Sequence, residues 1–171
     1  QKFPTVQAVA AAPQEIVLLP LYPQFSTATT KSSFQEWDRA VKKINLKIPS
    51  RRICCYPLES GYVSASAQAI RDMQEHAAKE GHGSARVLFS AHGLPEKTIR
   101  AGDPYQGQCE QSAAAIARAA GLAAEQWRIC YQSRVGPLKW IGPPLEEELK
   151  RAAADNTAVI IYPHSFVSEH V

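Results

Sequence analysis

Five short apolar runs, separated by segments of helical periodicity, constrain the fold of this chain more than any other feature of its sequence. The runs have the length and character of strands covered on both faces, and several are rich in β-branched or aromatic residues. They occupy residues 15–22, 51–57, 85–91, 126–132 and 157–163. The helical patterns occupy residues 32–44, 62–81, 104–121 and 143–156. Because parallel strands are joined by right-handed crossovers, this alternation predicts an α/β fold: an open parallel sheet with helices on both faces.

The residues at the ends of the helical patterns agree with this prediction. The pattern at 32–44 begins with two serines that can cap a helix. The next two patterns end at Gly81 and Gly121, the residue type that most often follows a helix. The last pattern opens with prolines and glutamates and carries Lys150 and Arg151 later, a charge order that complements the helix dipole.

Length, charge and hydropathy exclude several classes of protein. At 171 residues the chain is long enough for one domain with its own core, or for one domain plus part of another. Its net charge of +3 is small and its Lys and Arg residues are scattered, so we expect no nucleic-acid partner. The longest apolar stretch, residues 16–22, is far shorter than the roughly 20 residues of a membrane span. No signal-peptide pattern is visible, and we therefore expect a cytoplasmic protein.

The four cysteines, Cys54, Cys55, Cys109 and Cys130, lack the CxxC spacing of many metal and redox sites. An adjacent pair rarely forms a disulfide with itself. We therefore expect reduced thiols that act mainly as small apolar core residues.

Loops that carry candidate catalytic or ligand-binding side chains follow four of the five predicted strands. They are residues 20–30, 90–105, 132–144 and 164–171. Ligands of open α/β sheets bind beyond the carboxyl ends of the strands, where these loops should meet. The loops supply imidazoles and large aromatic rings, namely His92, His164, His170, Tyr22, Phe25 and Trp140. A cleft built from them suits a flat apolar ligand and a proton or metal transfer.

Motifs for competing chemistries are missing from the sequence. It contains no GxxxxGK[ST] or GxGxxG loop, no HExxH and no GxSxG. The string GHG at 81–83 is better explained by a helix end followed by a turn. His76 and His82 are expected to be solvated residues at the end of a helix.

Five ordered strings in the chain resemble the ferrochelatase family, enzymes that insert ferrous iron into a porphyrin at the end of heme synthesis. The strings are LPLYPQFS, SAHGLP, GDPY, QSRVGPLKWIGP and FVSEHV. The resemblance, which is strongest to bacterial members, implies two similar Rossmann-like, chelatase-type domains with the porphyrin in the cleft between them. On this basis residues 1–30 form the tail of the first domain and the crossover, and residues 31–171 form most of the second domain.

The resemblance also implies roles for individual residues. His92 matches the active-site histidine of the family, assigned either as the base that removes the pyrrole protons or as a ligand of the metal. Substrate-binding positions in the cleft are implied for Tyr22, Ser26, Gln132, Ser133, Val135, Trp140, Glu169 and His170. Asp103 of GDPY is expected mainly to cap the helix that follows it.

This sequence departs from the family pattern at several points. The catalytic glutamate of the family follows the SEHV string directly, whereas this sequence stops at Val171, and the first part of the N-terminal domain would precede Gln1. Thr27 stands where iron–sulfur members carry a cysteine, so no cluster is expected. His164 occupies a position where an apolar residue is expected, and the sequence does not reveal its effect.

The sequence therefore predicts part of a ferrochelatase that inserts Fe²⁺ into protoporphyrin IX, with the 171-residue piece inactive alone. Porphyrin and ferrous iron are the expected partners, and no organic cofactor is expected. Coproporphyrin III is an alternative substrate, while peripheral membrane association and the oligomeric state stay open. The competing hypotheses are a cobalt or siroheme-type chelatase and a non-catalytic porphyrin-binding module.

Overall fold

A computed structural model describes residues 13–167, in which strands and helices alternate along the chain. The strands are β1 (Ile16–Leu18), β2 (Ser50–Arg52), β3 (Arg86–His92), β4 (Trp127–Gln132) and β5 (Val159–Pro163). The helices are α1 (Ser32–Lys43), α2 (Ser60–Lys79), α3 (Glu96–Arg100), α4 (Tyr105–Ala120) and α5 (Leu145–Ala154). The predicted α/β class with parallel strand pairing is confirmed.

Strands β3, β4 and β5 form a parallel sheet with β3 in the centre. Val87, Leu88 and Phe89 are fully buried, as expected for a parallel strand covered on both faces. His92, the last residue of β3, lies opposite Gln132, the last residue of β4. Because the three strands run in one direction, the loops that follow them meet at the same edge of the sheet.

Helices cover both faces of this sheet. On one face, Phe89 shares a core with Ile70 of α2 and Ile116 of α4. The β3–β4 and β4–β5 connections run in opposite directions across the sheet, so right-handed crossovers place α4 and α5 on opposite faces. Helix α5 accordingly contacts β3 and β4, on the face to which Leu88 points.

The first two apolar runs differ from the prediction. They pair with each other in a separate two-stranded parallel sheet, and each contributes a strand of three residues. All of β2 is exposed, and Val17 of β1 is 47% exposed, so the expectation that these runs are covered on both faces is wrong for the described chain. After β2 the chain leaves the strand because Tyr56 bonds to the loop after β1: its N–H donates to the Pro23 carbonyl and its hydroxyl to the Pro20 carbonyl. The pairing joins the two sides of the predicted boundary at residues 30 and 31, and the domain division stays a prediction.

Two helix C-terminal ends match the sequence prediction, and two helix starts differ from it. Gly81, which follows the C-cap residue of α2, and Gly121, which directly follows α4, both have positive φ, as predicted. Helix α2 begins two residues earlier than predicted because the Glu59 carboxylate accepts the Tyr62 N–H at 2.8 Å. Ser32 does not cap α1, since a π-helical turn precedes the helix and the Ser32 hydroxyl donates back to the Thr29 carbonyl. Within residues 13–167, no helix combines the length and apolar character needed to cross a membrane.

All four cysteines are unpaired, as predicted. Cys109 and Cys130 are fully buried in the core, where burial raises the pKa of each thiol to about 12. The core prediction is wrong for Cys54, which is exposed, and Cys55 is only partly buried. Both lie in the segment after β2 that the sequence pattern assigns to a covered strand.

Candidate functional site

The imidazole of His92 stands at the carboxyl edge of the three-stranded sheet. Its residue ends the central strand and is exposed, directly after the fully buried Ala91. Gly93 then turns the chain, and its N–H donates to the Gln132 carbonyl at 2.8 Å. A Cβ at Gly93 would lie 2.9 Å from that carbonyl oxygen, so only glycine permits this close approach.

A cavity of about 170 Å³ opens beside this imidazole. Its lining combines one imidazole with aromatic rings, a leucine and hydroxyl groups, and consists of Tyr22, Ser26, Thr29, His92, Leu94, Tyr105, Ser165 and Phe166. These residues come from three of the loops that the sequence places beyond the strands, together with the first residue of α4. The cavity is therefore an apolar recess with a few polar groups, the usual character of a small-molecule site.

Two of its walls touch across the recess. The rings of Tyr22 and Phe166 meet edge to face, with centroids 5.9 Å apart. The hydroxyls of Tyr105 and Ser165 lie 2.7 Å apart in a buried hydrogen bond. The loop after β1 and the segment after β5 thus meet above α4, on the same side as His92.

Asp103 fastens the loop after β1 to the beginning of α4. One carboxylate oxygen accepts hydrogen bonds from the Ser26 hydroxyl at 3.0 Å and from the Thr27 N–H and hydroxyl at 2.7 and 2.6 Å. The other oxygen accepts the N–H of Tyr105, the first residue of α4, at 3.0 Å, although the N-cap residue itself is Pro104. Asp103 therefore bonds to the start of the helix and also connects two segments 77 positions apart in the sequence.

The protonation of two of these groups follows from their surroundings. Burial alone would raise the pKa of Asp103, but the hydrogen bonds from Thr27, Tyr105 and Ser26 outweigh it and hold the pKa of this carboxyl below its usual value. Burial, aided by nearby Cys109, raises the pKa of the Tyr105 hydroxyl far above its ordinary range. Asp103 is thus an anion and Tyr105 a neutral hydroxyl at neutral pH.

Trp140 lies behind the turn that carries His92 and is not part of the cavity lining. Its ring carbon Cε3 would lie 3.4 Å from a Cβ at Gly93. Around it the loops after β3 and β4 are joined, because the Ile141 N–H donates to the Leu94 carbonyl and the Glu96 N–H to the Lys139 carbonyl. Trp140 thus supports the His92 turn from the side of the β4 loop.

Comparison with known proteins assigns the family. The family model for ferrochelatase matches residues 5–171. This chain belongs to the ferrochelatase family. It is 51% identical over 166 residues to a ferrochelatase of Caulobacter vibrioides and 52% identical over 167 residues to one of Phenylobacterium zucineum, in each case over 96% of this chain. A ferrochelatase of Rickettsia bellii is 43% identical over 159 residues, or 93% of this chain. The chain spans 46%, 46% and 42% of the lengths of these three relatives.

The structure brings together only part of the residue set implied by the ferrochelatase resemblance. Tyr22, Ser26 and His92 line one cavity. Gln132 is half-buried at the end of β4, and Ser133 follows it with φ of 62°. Val135 is 73% exposed on the loop after β4, outside the cavity lining. Glu169 and His170 lie outside the described residues.

Sequence reasoning missed several lining residues. Five residues belong to the cavity but not to the predicted set, namely Thr29, Leu94, Tyr105, Ser165 and Phe166. Tyr105 lies in the matched string GDPY. Leu94 and Phe166 lie within the matched strings SAHGLP and FVSEHV, so the motifs carried a signal for them. Thr29 and Ser165 lie outside those strings and carried none.

A ready-made metal site is not visible in residues 13–167, where no group of three or more His, Cys, Asp or Glu side chains is placed to hold an ion. The expectations that the protein uses no organic cofactor and no iron–sulfur cluster stay predictions.

Proposed function

We propose that the full-length protein to which this chain belongs is a ferrochelatase, and that His92 acts at its reacting centre. The observation that carries the proposal is the single cavity that joins His92 to the aromatic and hydroxyl side chains of two loops, in a chain of this family. The substrates are Fe²⁺ and protoporphyrin IX, and the reaction forms four iron–nitrogen bonds and releases two protons.

His92 suits the proton-accepting role. Among the residues that line the cavity, it supplies the side-chain type that most often acts as a general base. Tyr105 is not a candidate proton acceptor, because burial keeps its hydroxyl protonated. The imidazole lines the recess in which we place the macrocycle, so the base and metal-ligand roles both stay open.

The cavity accommodates only part of a porphyrin. Its volume of about 170 Å³ lies below the roughly 300–1,000 Å³ typical of ligand sites. We therefore infer that the cavity is part of a larger cleft between two domains, divided near residues 30 and 31. The chain spans less than half the length of its relatives, and we assign the rest of the cleft to the remainder of the full-length protein. We also place the protein in the cytoplasm, without an organic cofactor.

Replacing His92 tests the function. We expect His92→Ala in the full-length protein to lower turnover by about 100-fold or more, the usual contribution of a general base. The assay supplies ferrous iron or zinc with protoporphyrin and follows the loss of porphyrin fluorescence. His82→Ala is the matched control, since His82 is exposed in a turn after α2 and should leave turnover unchanged.

The same assay separates the alternatives. Unchanged turnover in His92→Ala would contradict the role of this residue. Porphyrin binding without turnover in the wild-type protein would favour a non-catalytic binding module. Faster turnover of coproporphyrin III, or of cobalt with a siroheme-type ring, would reassign the substrate.

A further inference from the structure

His164, which the sequence pattern offers as one of the imidazoles of the cleft, is instead fully buried and is not part of the cavity lining. It follows β5 directly, and its backbone N–H continues the sheet by donating to the Ser90 carbonyl at 2.9 Å. Its ring lies edge-on against Phe89, with centroids 5.3 Å apart. The family pattern leads us to expect an apolar residue here, so the presence of a buried imidazole at this position requires an explanation.

The imidazole is engaged through one nitrogen. Its Nε2 lies 2.9 Å from the Cys109 carbonyl oxygen and 2.9 Å from the Ser112 hydroxyl oxygen, both on α4. A carbonyl only accepts, so Nε2 must carry the proton. Nδ1 is then an unprotonated nitrogen, and within the described chain it has no hydrogen-bond partner.

This tautomer fixes the direction of the next hydrogen bonds. The Ser112 hydroxyl accepts from His164 and directs its own proton to the Gln108 carbonyl at 2.9 Å. It remains an acceptor for the Gln24 side-chain N–H, also at 2.9 Å. Gln24 and Ser112 are almost fully buried, so each of these bonds is shielded from competing water.

Gln24 lies in the loop after β1, between two cavity residues. Tyr22 and Ser26 stand two positions before and after it, and both line the recess beside His92. The neighbouring Phe25 N–H adds a second link to α4 by donating to the Gln108 side chain at 2.7 Å. The chain of bonds from His164 therefore ends at the middle of the first cavity wall.

The opposite wall begins at His164 itself. Ser165 and Phe166 follow it directly, Ser165 bonds to Tyr105, and Phe166 meets Tyr22. The His164 carbonyl accepts the Tyr62 hydroxyl at 3.2 Å, which ties this segment to α2. One buried residue is thus connected to both walls of the recess, to the first through its ring and to the second through its backbone.

We propose that His164 is a positioning residue that sets the spacing of the two cavity walls, holding the Tyr22–Ser26 loop through Ser112 and Gln24 and the Ser165–Phe166 segment through its backbone. It acts through other residues and does not contact the substrate. The inference rests on the proposed function only where substrate affinity is measured.

Substitutions that keep or remove the Nε2 donor test this in the full-length protein. The side-chain amide of glutamine reaches the Nε2 position of histidine, whereas that of asparagine reaches only the Nδ1 position. We expect His164→Leu and His164→Asn to raise the KM for porphyrin by about fivefold, the effect of one net hydrogen bond, with kcat within about twofold. His164→Gln should restore the wild-type KM. His82→Leu is the control on an exposed histidine and should change neither constant.

Amide hydrogen exchange gives a readout that does not depend on activity. We expect exchange in residues 21–29 to become faster in His164→Leu and to return to the wild-type rate in His164→Gln. Ser112→Ala, which removes the link between His164 and Gln24, should reproduce the faster exchange and the higher KM, and it provides the test if His164→Leu does not fold.

Each outcome of these experiments either supports or contradicts the proposed role of His164. Unchanged exchange and unchanged KM in His164→Leu would overturn the proposal, as would a folded His164→Gln variant that behaves like His164→Leu. In the background of Ser112→Ala, a large further loss on replacing His164 by leucine would also contradict it. If the wild-type protein neither binds nor metallates porphyrin, the proposed function fails, and the exchange data still decide whether His164 holds the two walls.

Discussion

At the scale of single residues, Gly93 shows how closely the backbone fits around the candidate site. We expect Gly93→Ala to destabilise the protein by about 2 kcal/mol, because the added methyl group would press on the Gln132 carbonyl and the Trp140 ring. The measurement is the free energy of unfolding in urea.

Gly107→Ala is the matched control for this change. Gly107 is exposed within α4, and a Cβ there meets nothing within 4 Å. Replacing a helix-interior glycine by alanine should stabilise the protein by roughly 0.5–1 kcal/mol. Equal effects of the two substitutions would contradict the close approach at Gly93.

His164 also makes the stability of the protein depend on pH. Burial lowers the pKa of its imidazole from 6.5 to about 4. Between these values the unfolded chain binds a proton that the folded protein excludes, so stability falls as the pH decreases from 6.5 toward 4 and then levels off. We expect up to about 3 kcal/mol of loss over this range. The test is unfolding at pH 7 and pH 4.5, and in His164→Gln the part of the loss caused by this residue should disappear.

At the scale of structural elements, the GDPY turn between α3 and α4 joins a helix start to a distant loop. Asp103→Asn replaces an oxygen that accepts three hydrogen bonds with either a weaker acceptor or an amide donor facing other donors. We expect a loss of about 2 kcal/mol in unfolding free energy and a higher KM for porphyrin. Asp72→Asn, at an exposed position on α2, should stay within about 0.5 kcal/mol of the wild-type protein.

The elements that the sequence predicts best are those whose partners lie nearby or repeat regularly. The three strands of the main sheet and the four long helices appear within a few residues of the predicted bounds, because periodicity and Gly81 or Gly121 mark them locally. The first two strands are shorter than predicted, because the apolar pattern continues past the last paired residue of each strand, and Val17, Leu19 and Leu21 stay about half exposed. The π-helical turn at Thr27–Lys31 was not predicted, because the serines at the start of the next helical pattern indicate a helix cap and not a preceding turn.

At the scale of the whole molecule, the position of His92 could be predicted and the assembly of the cavity around it could not. The sequence shows an apolar strand that ends just before Gly93 and Pro95, and this pattern places His92 at the edge of the sheet. The bond between Gln24 and Ser112 spans 88 positions, and that between Tyr105 and Ser165 spans 60. Such pairs depend on how helix α4 is rotated against the sheet, which local patterns do not specify.

The two ends of the candidate site are held in different ways. The backbone at His92 is fixed by the ladder with β4, whereas the Tyr22–Ser26 loop is tied to α4 chiefly through side chains. A ligand therefore meets a histidine whose backbone is fixed in the sheet on one side, and a loop held by side-chain hydrogen bonds to one helix on the other. The backbone that carries the reactive group needs no ordering when a ligand binds, which lowers the conformational-entropy cost of binding.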